Sequence, residues 1–419
     1  MRLPHPRATP SESSAGTRAP TVDEVSFRSL YAKTQYVVET EDGWSLAVTR
    51  YRPLEQPFAQ PLFGEPLLLV HGFSQNRHTW TSGEFVKNLL YFGVDIHVLE
   101  LRGHGKSSLA LQRERARHFG RPLPADLDYG WDLDSYFLYD LPAAVAAVKR
   151  VTGRERIFYC GHSMGGMLGY GYAGLRDDFE GLITIGAPAD LGRGFLALRA
   201  LALTAPAVGG LIDAALAGVN LGRGGQQRLA NGARALLGRP REAPREPVSF
   251  RYVPVNSWLR FLERQLARAE EFPLYERVTT RVNWLSNPKR VSAQDIRWLL
   301  REGGEREPRK VMEQFARWIR KGELTCYRTG YDFKRGFAKI RVPMAIIFGD
   351  LDPLASVAST RSVYRAAQSE YLLWRPVKGN SHIELTMGHD IRQICYDIKN
   401  LIEYACTHRA RPPSMARTR

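Results

Sequence analysis

Cysteine is scarce in this chain. Its 419 residues hold four, Cys160, Cys326, Cys395 and Cys406. No two are spaced as a metal-ligating pair, and the set does not read as a disulfide framework, which fits a reducing compartment. There is no Walker A motif, no dinucleotide-binding glycine fingerprint and no internal repeat. Neither a nucleotide nor a flavin is implied, and the expected cofactor and metal content is none. The first ~25 residues are rich in Pro, Ser, Thr and Arg and lack an apolar h-region, so they read as a disordered tail rather than a signal peptide. The basic end, 407–419, reads the same way, and the expected location is cytoplasmic. A membrane-spanning segment is not expected either. Residues 200–212 are uncharged, but a span needs ~18 or more such residues. Pro206, Gly209 and Gly210 also interrupt the run, so 195–219 reads as two short apolar helices.

A hydrophobic content of 44% over this length can bury a full core, and it fits one α/β domain with a large insertion. Strand-like apolar runs at 67–70, 94–100, 157–160, 182–185, 344–348 and 371–374 alternate with helical stretches such as 134–151. There Leu138, Leu141, Val145 and Val148 stand at helical spacing. This alternation predicts a mostly parallel sheet with helices on both faces. Residues 35–38 and 45–51 read as an antiparallel hairpin at its edge.

The strongest chemical signal is Gly161-His162-Ser163-Met164-Gly165-Gly166, directly after Ile157-Phe158-Tyr159-Cys160. It reads as a strand, a tight turn and a helix start with a serine at the apex. The glycines allow close chain approach on either side of a strained, outward-pointing nucleophile. The helix N-terminus favours negative charge there. An ordinary turn with a solvent-facing serine is the bland alternative. Two further segments accompany it. Leu67-Leu68-Leu69-Val70 stops at His71-Gly72-Phe73. Val94 to Val98 leads into Arg102-Gly103-His104-Gly105-Lys106-Ser107, which reads as a structural turn with Arg102 bracing the neighbouring loops.

Together these segments resemble an α/β-hydrolase-fold serine hydrolase of the lipase/esterase type. Thr40-Glu41-Asp42-Gly43-Trp44-Ser45-Leu46, with Arg50 and Pro53, is similar to the opening of acid lipases, and His382-Ile383-Glu384-Leu385 with Gly388 to their ending. The Arg102 and Ser163 segments are more similar to monoacylglycerol lipases and related bacterial hydrolases. The resemblance covers roughly 36–190 and 340–406. It departs from polyhydroxyalkanoate synthases, which carry Cys at the nucleophile, and from epoxide hydrolases and dehalogenases, which carry Asp.

The resemblance implies roles for particular residues. The amides of Phe73 and Met164 form the oxyanion hole. His71 comes too early in chain order to be the base and reads as a loop brace. The order Ser, acid, His makes His382 the base, after the strand at 371–374, with His389 a weaker rival. The orienting carboxylate is Asp352 or Asp350, and the Gly349-to-Asp352 spacing favours Asp352. Asp350 then caps a loop. Glu384 is either a carboxylate acting through His382 or a loop brace.

Charge is unevenly spread. Residues 191–342 carry 29 Lys and Arg against 14 Asp and Glu, while the remainder carries 30 against 29. The expected organisation is a tail at 1–25, hydrolase core at 26–190, a basic, mainly helical cap at 191–341, core again at 342–406 and a tail at 407–419. Within the cap, 221–251 reads as a Gly/Arg/Pro-rich loop. The stretches 258–266 and 311–319 read as amphipathic helices whose aromatics pack on the core. A basic cap beside apolar helices suits an anionic membrane surface, and no nucleic-acid motif accompanies it. The expected activity is hydrolysis of carboxylic, lipid-like acyl esters without a cofactor. Acyl transfer to an alcohol, or non-catalytic lipid or partner binding, are the alternatives. Oligomeric state is left open.

Overall fold

A computed structural model of the chain describes residues 20–56, 62–236, 240–241, 243, 247, 249–269 and 285–409. Eight strands form one sheet: β1 (Tyr31–Glu39), β2 (Ser45–Pro53), β3 (Pro66–Val70), β4 (Asp95–Leu99), β5 (Ile157–His162), β6 (Phe179–Ile185), and, after a long insertion, two more. The insertion contributes a small antiparallel pair, β7 (Tyr252–Val253) and β8 (Glu307–Pro308), before β9 (Met344–Gly349) and β10 (Leu372–Val377) complete the main sheet. The sheet order is β1-β2-β4-β3-β5-β6-β9-β10. β1 and β2 pair with each other, and β2 with β4, in antiparallel fashion; all other pairs are parallel.

The central strands are apolar on both sides because both faces are covered. Along β3, Leu68 and Val70 enter one core with Trp44, Trp131, Tyr159 and Leu168, while Leu67 and Leu69 enter the other with Trp80, Phe85, Phe158 and Ile394. The final helix, Ile391–His408, buries Ile391, Ile394, Cys395, Ile398, Leu401 and Ile402, one stripe at helical spacing. The chain runs from β3 to β4 on one side, then crosses back to β5 on the other. The helices that follow β3 and β5 therefore pack on opposite faces of the sheet, and the carboxyl ends of these strands are the switch point at which open α/β sheets place their ligands.

The predicted strands all form, within a few residues. Gly388 is extended and separates a turn at Glu384–Met387 from the final helix, Ile391–His408. The helix expected at 134–151 is split by a π-helical turn, Tyr136–Asp140. That wider turn carries Tyr136 and Asp140, which bond Glu307 and Arg102. Residues 20–25 belong to the body rather than to a tail: Val22 is buried and Tyr91 donates to the Pro20 carbonyl. The rest of both expected tails lies outside the described residues, apart from 407–409, where Arg409 pairs with Glu65 and Glu180.

The insertion holds the largest departures. In place of two short helices and a loop there is a single helix, Leu196–Leu236, with Pro206 inside it. A proline removes the bond to the carbonyl four residues back, here that of Ala202. Arg320 donates to that carbonyl at 3.0 Å, so the helix continues. Of the expected loop at 221–251, residues 221–236 are helical and most of 237–248 lies outside the described residues. The amphipathic helices form as Val255–Ala269 and Arg309–Lys321. Trp318 is buried, but Trp258 and Phe261 are exposed, because that helix turns Leu259 toward Gly304 instead.

Candidate active site

β5 ends at His162, and the next residue, Ser163, has φ 51° and ψ −118°. A left-handed φ is costly for a residue with a side chain. It persists here because the surrounding chain is fixed: the Ser163 amide donates to Ile185 on β6 at 2.8 Å, and the helix Met164–Ala173 starts at once. The flanking glycines are sterically required. A Cβ on Gly161 would stand 2.4 Å from the Gly165 carbonyl carbon, and one on Gly165 would stand 2.4 Å from the Val70 carbonyl oxygen.

The loop after β3 runs beside the elbow, and a Cβ on Gly72 would come 2.9 Å from Cβ of Ser163. Gln75 organises it. Its Oε1 accepts from the Gly72 amide at 2.8 Å and from His162 Nδ1 at 2.9 Å. His162 Nε2 faces the His382 carbonyl at 3.3 Å, and burial pushes the His162 pKa down to about 3. His71 is fully buried, with Nδ1 2.9 Å from the Gly72 carbonyl and Nε2 accepting from the Leu101 amide. It braces the loop, and burial drives its pKa well below the ordinary value. Among the described residues, the amides of Phe73 and Met164 donate to no other group. Both residues line the same cavity as Ser163.

His382 follows β10. Its Nδ1 lies 2.7 Å from Asp352 Oδ2, and its ring packs 4.9 Å from that of His162. Asp352 is buried and also accepts from the Leu354 and Ala355 amides. Burial opposes both charges, yet the pair wins: the His382 pKa is raised by the Asp352 carboxylate, and that of Asp352 is lowered by His382. Asp350 is exposed and accepts from the Gly379 amide at 2.7 Å, away from His382. His389 is exposed, with its amide on the Arg290 carbonyl. Glu384 accepts from the amides of Ser381 and Asn287, tying the His382 loop to the insertion. Arg102 is fully buried between Asp140, at 2.7 Å, and Asp42, at 2.6 Å.

One cluster had no sequence signal. Glu307, on β8 of the insertion, is fully buried. Its carboxylate accepts from the Ser74 amide at 2.7 Å, from Tyr136 Oη at 2.9 Å and from His104 Nε2 at 3.0 Å. Glu305 adds bonds from Asn76 and Gly105, and its carbonyl accepts from Ser74 Oγ. Ser74, itself at φ 55°, is thus gripped by the insertion one residue after Phe73. In sequence, a glutamate in a basic segment reads as a solvated charge. Gln75 was equally unmarked.

Above Ser163 lies a cavity of about 470 Å³. Its walls are almost wholly apolar, with Met167, Leu198, Ala202 and Ile212 among them, the last three from the helix Leu196–Leu236. A family model described as the alpha/beta hydrolase fold matches residues 65–382. The chain belongs to this family. Within the alpha/beta hydrolases it is similar to Lipase member M of Homo sapiens, 29% identical over 156 residues, covering 36% of this chain and 34% of that protein. The human lysosomal acid lipase/cholesteryl ester hydrolase is 25% identical over 144 residues, 33% of this chain and 34% of that protein. The chain therefore matches about a third of the length of these curated relatives. Among solved structures, a DcsB complex with its substrate analogue superposes with a TM-score of 0.51 at 11% identity, covering 90% of this chain and all of that one. The peroxisomal alpha-beta-hydrolase Lpx1 from Saccharomyces cerevisiae gives 0.50 at 12% identity, covering 93% of each. These likenesses speak for the hydrolase fold.

Proposed function

We propose that this alpha/beta hydrolase cleaves carboxylic esters with a lipid-like acyl group, through a Ser163–His382–Asp352 triad and an acyl-enzyme. The observation that carries the reading is the buried 2.7 Å contact between His382 Nδ1 and Asp352, beside an elbow that strains Ser163 into an apolar cavity. Nδ1 is committed to the carboxylate, which leaves Nε2 to take the Ser163 proton. Ser163 Oγ attacks the carbonyl carbon, and the Phe73 and Met164 amides receive the oxyanion. His382 then protonates the leaving alcohol. Water, deprotonated by the same imidazole, releases the acid and regenerates the serine.

The apolar walls favour an acyl chain, and the relatives named as lipases act in the same sense. The reading is tested with an ester series from short to long acyl chains. Turnover should persist or rise with chain length, and Ser163→Ala should lose at least ~10³-fold. Substantial activity in Ser163→Ala, or failure of Ser163 to label with a phosphonate, would overturn it. The apolar cavity also suits acyl transfer to an alcohol, and transesterified product with added acceptor alcohols would mark that outcome.

A further inference from the structure

The helix Leu196–Leu236 has two apolar faces. At 3.6 residues per turn, Leu198, Ala202, Ala205, Gly209 and Ile212 share one of them and line the cavity over Ser163. Leu196, Leu203, Leu211 and Leu221 share the opposite one, each more than 60% exposed. Over one 18-residue window only 6% of the helix is buried, and by length and composition it suffices to cross a membrane. An apolar stretch of that length belongs in a core or in lipid, and this window of the helix is not in a core.

Its polar points are neutralised on the inner side. Asp213 is the only acidic residue between 196 and 236. Arg309 pairs with it, Nη2 to Oδ2 at 2.8 Å and Nη1 to Oδ1. The carbonyl of Ala202, freed by Pro206, is taken by Arg320. Both arginines come from the helix Arg309–Lys321. What remains outward is apolar, and the other charges of the long helix, Arg199, Arg223, Arg228 and Arg234, are all positive.

We propose that the outward face of Leu196–Leu236 docks in an anionic lipid surface, with the helix lying in the plane of one leaflet. It does not cross the bilayer, because its inner face is held to the body over the cavity. At the same 3.6-residue spacing Arg223 and Arg234 stand on the inner face, while Arg199 and Arg228, both exposed, flank the outward one and meet anionic headgroups. The roof of the cavity then faces lipid, and an ester carried in the leaflet enters from that side. This entry step rests on the ester-hydrolase reading; the docking does not.

The test is flotation of the full chain carrying Ser163→Ala with vesicles of phosphatidylcholine, with and without phosphatidylserine. The chain should float with the anionic vesicles, and Leu203→Glu/Leu211→Glu should weaken this by ~10-fold or more. Neither leucine lines the cavity, so in the Ser163 background the double variant should turn over a soluble short-chain ester within ~2-fold of wild type. Three results overturn the docking: no flotation, equal flotation of the double variant, or a dimer that the double variant dissociates. Flotation without ester turnover would leave the docking standing and sink the enzymatic reading alone.

Discussion

His104 and Glu307 form a fully buried pair, 3.0 Å apart, between the body of the fold and its insertion. The other nitrogen of His104, Nδ1, lies 2.8 Å from the Arg102 carbonyl. Both partners only accept hydrogen bonds, so both nitrogens carry protons and the ring is an imidazolium. Glu307 also holds the Ser74 amide, next to Phe73. The position of Phe73, whose amide is a proposed oxyanion donor, thus depends on a residue 203 positions downstream of His104.

Glu307→Gln should therefore affect catalysis as well as stability. Removing one charge leaves the His104 imidazolium buried and unmatched, at a cost of about 3–5 kcal/mol, read as a lower denaturation midpoint. Because Ser74 is held less firmly, kcat should fall by about tenfold with KM nearly unchanged. Affinity for a boronate that occupies the oxyanion hole should fall with kcat. Loss of stability with normal kcat and normal boronate binding would show that the residue only staples the insertion down.

The same pair gives stability a pH dependence. Burial disfavours charge on His104, but Glu307 overrides it and pushes the pKa up to about 9. An unfolded histidine titrates near 6.5. Between these values the folded state holds more protons than the unfolded state, so stability falls as pH rises. The contribution is complete below about pH 6.5 and lost through about 9. The melting temperature should drop over that window, and His104→Gln should flatten the drop. A wild-type melting temperature that stays level from pH 6.5 to 9 would contradict this.

The two candidate acids separate by substitution. Asp352→Asn should lower kcat by ~10⁴-fold, since the amide holds the wrong imidazole tautomer. Asp350→Asn loses only a surface turn contact and should stay within ~1 kcal/mol of wild-type stability, with full activity. As the proposed base, His382 must be neutral to act, and its pKa is raised by Asp352. So kcat/KM should climb with pH through an inflection above about 6.5. The residual activity of Asp352→Asn should show that inflection displaced downward. Equal losses from both substitutions would defeat the assignment.

Much of this site was legible in the sequence because its constraints are local. Gly161, Ser163 and Gly165 lie within five residues, and sterics alone demand small neighbours at a strained elbow. β3, β5 and β9 are continuous apolar runs, so their ends could be located. Gln75, Glu305 and Glu307 could not be found that way. The glutamates' partners and the His162 that Gln75 holds are distant in sequence, and a buried glutamate looks like a surface one until the histidine facing it is known. The long helix was misjudged for a related reason. Pro206 argues for a break by local rules, and only Arg320 shows why none occurs.

The elbow itself gives the sharpest steric prediction. A Cβ on Gly165 would meet two backbone oxygens, those of Val70 at 2.4 Å and His71 at 2.7 Å. Backbone cannot swing aside as a side chain can. Gly165→Ala must push the helix Met164–Ala173 away from β3, opening the space between Met164 and Phe73. The expected cost is about 3 kcal/mol, with loss of phosphonate labelling at Ser163. Gly153 is the control. It caps the helix Leu141–Thr152 at φ 68°, and a Cβ there meets nothing within 4 Å. Gly153→Ala should cost only the left-handed strain, about 1 kcal/mol, and label normally. If Gly165→Ala labelled at the wild-type rate with wild-type stability, the tight approach between the elbow and β3 would have no role in presenting the serine.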